Sequence, residues 1–214
     1  MSAFCLDCRR CSRLAGFLED VRVKHPDYHS RPVAPFGDAS PRLLIVGLAP
    51  GMHGANRSGR PFTGDYAGVL LYQTLHKFGF ADKPVSISAD DGLKLTGCRI
   101  TNAVKCLPPE NKPTGEEVRT CNAFLANELA SLARNSIVLA LGGIAHKAVL
   151  MAASQTAAAC KFGHGARHRL EIGLTLFDSY HCSRYNTQTR RLTAAMFEQV
   201  FADMRRFLDD RIAG

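Results

Sequence analysis

The chain has 214 residues, 46% of them hydrophobic, and a formal charge of +8 from 27 Lys and Arg against 19 Asp and Glu. That length suits one α/β domain with a full core. No apolar run approaches the roughly 20 residues of a membrane-spanning helix, and no repeat or low-complexity linker interrupts the chain.

The first residues are polar and cysteine-rich rather than signal-like, which favours a soluble, cytoplasmic protein with no membrane partner. The basic excess suits a polyanion, most commonly nucleic acid; a generally basic surface is the plain alternative. Eight cysteines in a reducing compartment read as metal-binding or buried rather than disulfide-bonded. Tryptophan is absent, so stacking falls to Phe, Tyr, His or Arg.

In chain order, Cys8-x₂-Cys11 comes first, a spacing that puts two sulfurs on one side of a tight turn. Residues 43–48 read as a buried strand, followed by a glycine-rich loop over 47–65 and a helical pattern over 67–78. A second strand over 99–104 ends in polar residues and runs into Cys106. Thr114-x-x-Glu117 is a capping-box pattern opening a helix over 114–134, with Val118, Cys121, Leu125, Leu129 and Leu132 on one face. Strands over 136–141 and 174–179 flank a short apolar helix over 143–153, and a helix over 194–208, capped by Thr193, closes the pattern. The alternation predicts a three-layer α/β/α sandwich with a central, mostly parallel four-stranded sheet. One domain over 1–214 is expected, with a cysteine segment at about 1–40 tied to it through a metal centre. In such sheets ligands bind beyond the carboxyl ends of strands, where every unusual loop lies.

The loop over 47–65 carries Arg57 and Arg60 but matches neither the Walker A spacing nor a dinucleotide fingerprint. A second loop, His181-Cys182-Ser183-Arg184-Tyr185-Asn186-Thr187 followed by Arg190-Arg191-Leu192-Thr193, suits a phosphate backbone. Gly47-Leu48-Ala49-Pro50, then His53-Gly54-x-Asn56-Arg57-x-Gly59-Arg60-x-Phe62-Thr63-Gly64-Asp65, resembles the first motif of the family 5 (type B) uracil-DNA glycosylases. His181-x-Ser183 with Asn186, Thr189, Arg191, Leu192 and Thr193 resembles their second motif. The cysteine pairs and Thr101-Asn102-Ala103-Val104-Lys105-Cys106 fit the 4Fe–4S branch shared by families 4 and 5. The resemblance spans roughly residues 8 to 201. Cys182 stands where the family usually has proline, and Arg190 where it usually has glycine. Leu48 is apolar where family 4 tends to place a glutamate.

The resemblance implies a monofunctional DNA glycosylase. It would flip uracil, and other deaminated bases such as hypoxanthine and xanthine, out of double-stranded or single-stranded DNA. Hydrolysis of the N-glycosidic bond would leave an abasic site; no lysine is placed as a Schiff-base nucleophile. Asn102 would pair with the N–H and adjacent carbonyl of uracil, a pattern cytosine lacks. Phe62 would stack on the base. Asp65 would orient water or stabilise positive charge on the sugar, and His181 would donate to the leaving base without being protonated. Asp65 also precedes a helical pattern, so a helix cap is an equal structural use. Gly47, Ala49, His53 and Asn56 are expected to line the pocket. Arg57, Arg60, Ser183, Arg184, Tyr185 and Arg190 are expected to meet DNA, with Arg184 and Tyr185 as wedge candidates. His164 and His168 read as a basic surface loop.

Cys8, Cys11, Cys106 and Cys121 are the expected metal ligands, with Cys5 a rival because Cys5-x₂-Cys8 has the same spacing. Zinc would accept the same thiolates; the resemblance favours a structural 4Fe–4S cluster. A monomer is expected. An iron–sulfur redox protein, a non-catalytic nucleic-acid module and a free-nucleotide hydrolase are the rival readings.

Overall fold

The computed structural model describes residues 4–210. Its sheet has six strands rather than the expected four. The four expected strands are present as β2 (Leu43–Gly47), β3 (Cys98–Asn102), β4 (Ile137–Leu141) and β6 (Thr175–Ser179), all mutually parallel. Two short antiparallel strands close the edges: β1 (Phe36–Gly37) on β3, and β5 (Arg167–Arg169) on β6. The spatial order is β1-β3-β2-β4-β6-β5. The edge strands are two and three residues long, too short to show any alternation of apolar and polar residues.

Every residue of β2, β4 and β6 is buried, as a sheet covered on both faces requires. Leu44 and Val46 of β2, with Val138 and Ala140 of β4, face one core; Leu43 and Ile45, with Ile137 and Leu139, face the other. The first core is completed by α1 (Ser12–Lys24), α4 (Gly115–Ala130) and α5 (Gly143–Ala152), the second by α3 (Tyr66–Lys77) and α7 (Ala194–Asp209). The three-layer expectation therefore holds. Short helices α2 (Ala55–Ser58) and α6 (Arg184–Gln188) lie inside the two motif loops. No helix among the described residues is long and apolar enough to cross a membrane.

Helix α1 was not expected. Its apolar residues Leu14, Leu18 and Val21 pack into the first core, and the charges between them hide the stripe. Arg13 of α1 meets Glu117 of α4 at 2.7 Å. The same Glu117 accepts from the Thr114 backbone N–H, while Thr114 Oγ1 accepts from the Glu117 N–H, so the capping box is present. One carboxylate thus caps α4 and docks the N-terminal segment.

Arg60, expected at a DNA phosphate, is instead buried. Its Nη1 reaches Asp91 Oδ1 at 2.7 Å and Ser86 Oγ at 3.0 Å, and its guanidinium lies 4.3 Å from the Phe36 ring centroid. It clips the loop over 83–92 and edge strand β1 onto the glycine-rich loop. Burial raises the Asp91 carboxyl, but Arg60 and the backbone N–H groups of Leu93, Ile87 and Ser88 outweigh it and hold the group well below the usual carboxylate range. The pair therefore contributes stability that is present above the ordinary carboxylate pKa and lost as pH falls. Arg60→Ala should cost about 3 kcal/mol in chemical denaturation near neutral pH, because it removes the charged partner of a half-buried carboxylate and leaves it only its backbone N–H groups. The gap between variant and parent should shrink below pH ~4. A variant of parental stability with weakened DNA affinity would return Arg60 to the DNA surface.

Candidate active site and thiol cluster

A cleft of about 410 Å³ opens beyond the carboxyl ends of β2, β3 and β6. Leu48, Ala49, Phe62 and Asp65 reach it from the glycine-rich loop, Asn102 from the end of β3, and His181, Ser183 and Arg184 from the loop after β6. The volume suits a single planar base with its sugar.

Gly47 is the hub of this arrangement. A Cβ there would lie 2.4 Å from Asn102 Oδ1 and 2.6 Å from Phe62 Cζ, so only glycine lets the two side chains meet the strand end. Ala103 N–H donates to the Gly47 carbonyl at 2.9 Å, and Val104 N–H to that of Leu48 at 3.0 Å. Pairing between β2 and β3 thus runs past the strands and locks the two loops together. Gly47 itself does not line the cleft.

Phe62 is buried with φ of 56°, the left-handed region that costs a non-glycine residue of order 1–3 kcal/mol. Packing holds it there. Tyr72 Oη donates to the Pro61 carbonyl at 2.8 Å, and a Cβ at Gly68 would meet the Phe62 carbonyl at 1.8 Å. The Phe62 ring stacks at 5.8 Å and 28° on His181. Burial pushes the His181 imidazole down to about 4, so it is neutral at physiological pH.

Asp65 caps α3, accepting from the Gly68 N–H at 2.9 Å. Burial raises its carboxyl, against the backbone N–H groups of Gly68 and Ala67 that lower it. The anticipated cap is present, and Asp65 still borders the cleft. Gly54 makes the room, since a Cβ there would lie 2.5 Å from Asp65 Oδ2. The Asn102 carboxamide is buried, and its Oδ1 has no hydrogen-bond partner.

His53 and Asn56, expected to line the pocket, do not. His53 is exposed and bonds Tyr28 Oη through Nδ1 at 2.9 Å, which holds it outside the cleft. Asn56 is fully buried in α2, where its carboxamide lacks a hydrogen-bond partner. Arg57, Arg184, Tyr185 and Arg190 are exposed, and Tyr185 projects with 70% of its surface free. Ser183 caps α6, accepting from the Asn186 N–H, and Asn186 Nδ2 donates to the His181 carbonyl at 2.8 Å. Arg190 has φ of 56°, which explains why glycine suits that position. Cys182 is wholly buried. His164 stacks on Tyr180 at 5.1 Å, and His168 turns toward Asp178, so neither is a free surface histidine.

Asn111 is a cleft residue the sequence reading missed. Glu110 and Asn111 have φ of 54° and 57°, two successive left-handed residues between Pro109 and Pro113. The Pro108-Pro109 pair was the available signal for a stiff turn at the cleft edge.

Cys5, Cys8, Cys11, Cys106 and Cys121 all line one cavity walled by Phe4, Leu14, Val104 and Phe124; Cys5 is exposed, and Cys106 and Cys121 are buried. All are free thiols. Burial, then the neighbouring sulfurs, pushes Cys106 up to about 12, and burial also raises Cys11 and Cys121. Several thiolates crowded in an apolar pocket need a cationic centre to be stable, so the residues fit a metal group. The Lys105 N–H donates to Cys121 Sγ at 3.3 Å.

The Uracil DNA glycosylase superfamily model matches residues 34–205. A type-5 uracil-DNA glycosylase of Thermus thermophilus is 46% identical over 204 residues, 93% of each chain. Another, of Pyrobaculum aerophilum, is 42% identical over 199 residues, 91% of this chain and 86% of its own. The crystal structure of wild-type Pedobacter heparinus SMUG2 aligns over 91% of this chain and 85% of that one, with a TM-score of 0.52 at 13% identity, a likeness of fold. With about four-fifths of its length inside that model and near-full-length relatives above 40% identity, the chain belongs to the uracil DNA glycosylase superfamily, in its type-5 branch.

Proposed function

We propose that this protein is a monofunctional glycosylase that removes uracil from DNA. The observation that carries the reading is Asn102: a buried carboxamide with an unpartnered Oδ1, beside Phe62 and His181 in the cleft. A buried acceptor left unpaired costs about 1–3 kcal/mol, which a ligand N–H would recover. Oδ1 accepts from uracil N3–H while Nδ2 donates to O4. Hypoxanthine offers the same pair at N1 and O6 and xanthine a related one, so both belong to the proposed substrate range. Cytosine offers the reverse pattern and is refused.

The base enters between Phe62 and the His181 loop after the nucleotide leaves the stack. As the glycosidic bond breaks, positive charge grows on the deoxyribose and negative charge on the base. Asp65, ionised, stabilises the sugar cation and orients the water that adds to C1′. Neutral His181 donates to O2 of the departing base, as in an oxyanion hole. No lysine lines the cleft among the described residues, in keeping with hydrolysis rather than lyase chemistry. Arg57, Ser183, Arg184 and Arg190 meet phosphates of double- or single-stranded DNA, and Tyr185 fills the vacated stack. The protein acts as a monomer on nucleoid DNA in the cytoplasm.

A 4Fe–4S cluster on Cys8, Cys11, Cys106 and Cys121 would supply a cross-link between the N-terminal segment and the base-reading loop, and no reacting atom. Purified protein should carry about four iron atoms per chain. A single zinc held by the thiols would overturn that assignment.

Duplexes holding uracil, hypoxanthine, xanthine or thymine should yield alkali-labile sites at the deaminated bases. Asp65→Ala and Asn102→Ala should each lower uracil excision at least about 100-fold with little change in DNA binding. Full rates in both variants would place the site elsewhere. The rate profile should fall on the acid side, at a pH above the ordinary carboxylate value, as Asp65 takes up its proton. It should show no inflection at pH 6–7 from His181, whose imidazole is already neutral there. An inflection that disappears in His181→Asn would contradict the neutral donor.

A further inference from the structure

His146 of α5, His168 of β5 and Asp178 of β6 form a cluster whose ligand atoms all lie within 4.8 Å of one another. None of the three lines the cleft or the thiol cavity. His146 Nε2 lies 3.0 Å from the Cys160 carbonyl, which fixes the proton on that nitrogen. Nδ1 then turns a lone pair on Asp178 Oδ1 at 2.8 Å. Two lone pairs at that distance repel unless something cationic sits with them. A proton would serve that contact alone. It leaves Asp178 Oδ2 buried without a hydrogen bond of normal geometry, with the Gly163 backbone N–H turned toward the carboxylate and His168 Nε2 at 3.6 Å from the same oxygen.

Two imidazoles and one carboxylate are the donor set of a divalent transition metal. The Nε2–H bond to the Cys160 carbonyl is the outer contact that orients a metal-bound imidazole. We propose that His146, His168 and Asp178 bind one divalent transition-metal ion of zinc's class, separate from the thiol cluster. His168 Nε2 also lies 3.1 Å from the Lys161 carbonyl, and binding exchanges that contact for the metal. Asp178 precedes His181 by three residues on the strand that delivers it, so the ion staples β6 to α5 and β5 directly below the catalytic loop.

The test measures iron and zinc in the full-length protein after equilibration with zinc and removal of loosely held ions. The expected result is about one zinc per chain beside an unchanged iron content, with zinc lost and iron retained in His168→Gln. His168 sits on the edge strand and is half-buried, so this variant tests the site without opening the core. In the parent, zinc at about a hundredfold above its Kd should raise the melting temperature by about 5–10 °C, and the shift should vanish in the variant. A parent that retains no zinc overturns the proposal and leaves a proton between His146 and Asp178. Equal zinc in parent and variant also overturns it, by placing the ion on the thiols.

Discussion

The site depends on two backbone hydrogen bonds, Ala103 N–H to Gly47 and Val104 N–H to Leu48. They carry β2–β3 pairing beyond the strands, into the loops that hold the chemistry. With the two chains clamped, Gly47 sits against Asn102 and Phe62 at distances no other residue allows. The clamp also ties the cleft to the N-terminal segment. Cys106 follows Asn102 by four residues, and its cavity contains Cys8 and Cys11 from the N-terminal segment. Anything that binds these cysteines therefore also fixes the loop that carries Asn102. Because Glu117 independently ties α1 to α4, the N-terminal segment is anchored by an ion pair as well as by its thiols.

The cleft relies on fixed groups rather than on titration. His181 is neutral because its ring is enclosed, Asp65 is held by the start of α3, and Phe62 is kept in a left-handed backbone conformation by its surroundings. Each would relax in water. Groups fixed in advance need no reorganisation when charge develops beside them, which is where an electrostatic site gains most. The stability for this comes from the buried strands β2, β4 and β6 and the helices on both faces.

Four strands and four helices were legible because each is a long periodic or continuous apolar run, and Thr114-x-x-Glu117 announced its helix start. Strands β1 and β5 were not, since two or three residues carry no period. Helix α1 was hidden because its inward residues, Leu14, Leu18 and Val21, are spaced among charges and overshadowed by the cysteines. At the site, Phe62, Asp65, Asn102 and His181 were expected together and share one cleft. Arg60, His53 and Asn56 were misplaced for one reason: motif membership does not say which way a side chain points. Arg60 turns inward to Asp91, Asn56 into the protein, and His53 outward to Tyr28. Asn111 was missed because its approach to the cleft comes from two left-handed residues in a row, and Glu110, the first of them, is not a residue type that signals that conformation.

The central claim is that the Asn102 carboxamide reads the base by its donor and acceptor pattern. It is tested most directly by the ratio of uracil to cytosine excision in Asn102→Asp, a change that keeps the shape and removes the N–H donor facing O4. The account predicts that the ratio falls by about 10- to 100-fold, since one well-placed pair of hydrogen bonds discriminates bases by about 1–3 kcal/mol. An unchanged ratio in a folded, DNA-binding variant would show that discrimination lies elsewhere in the cleft.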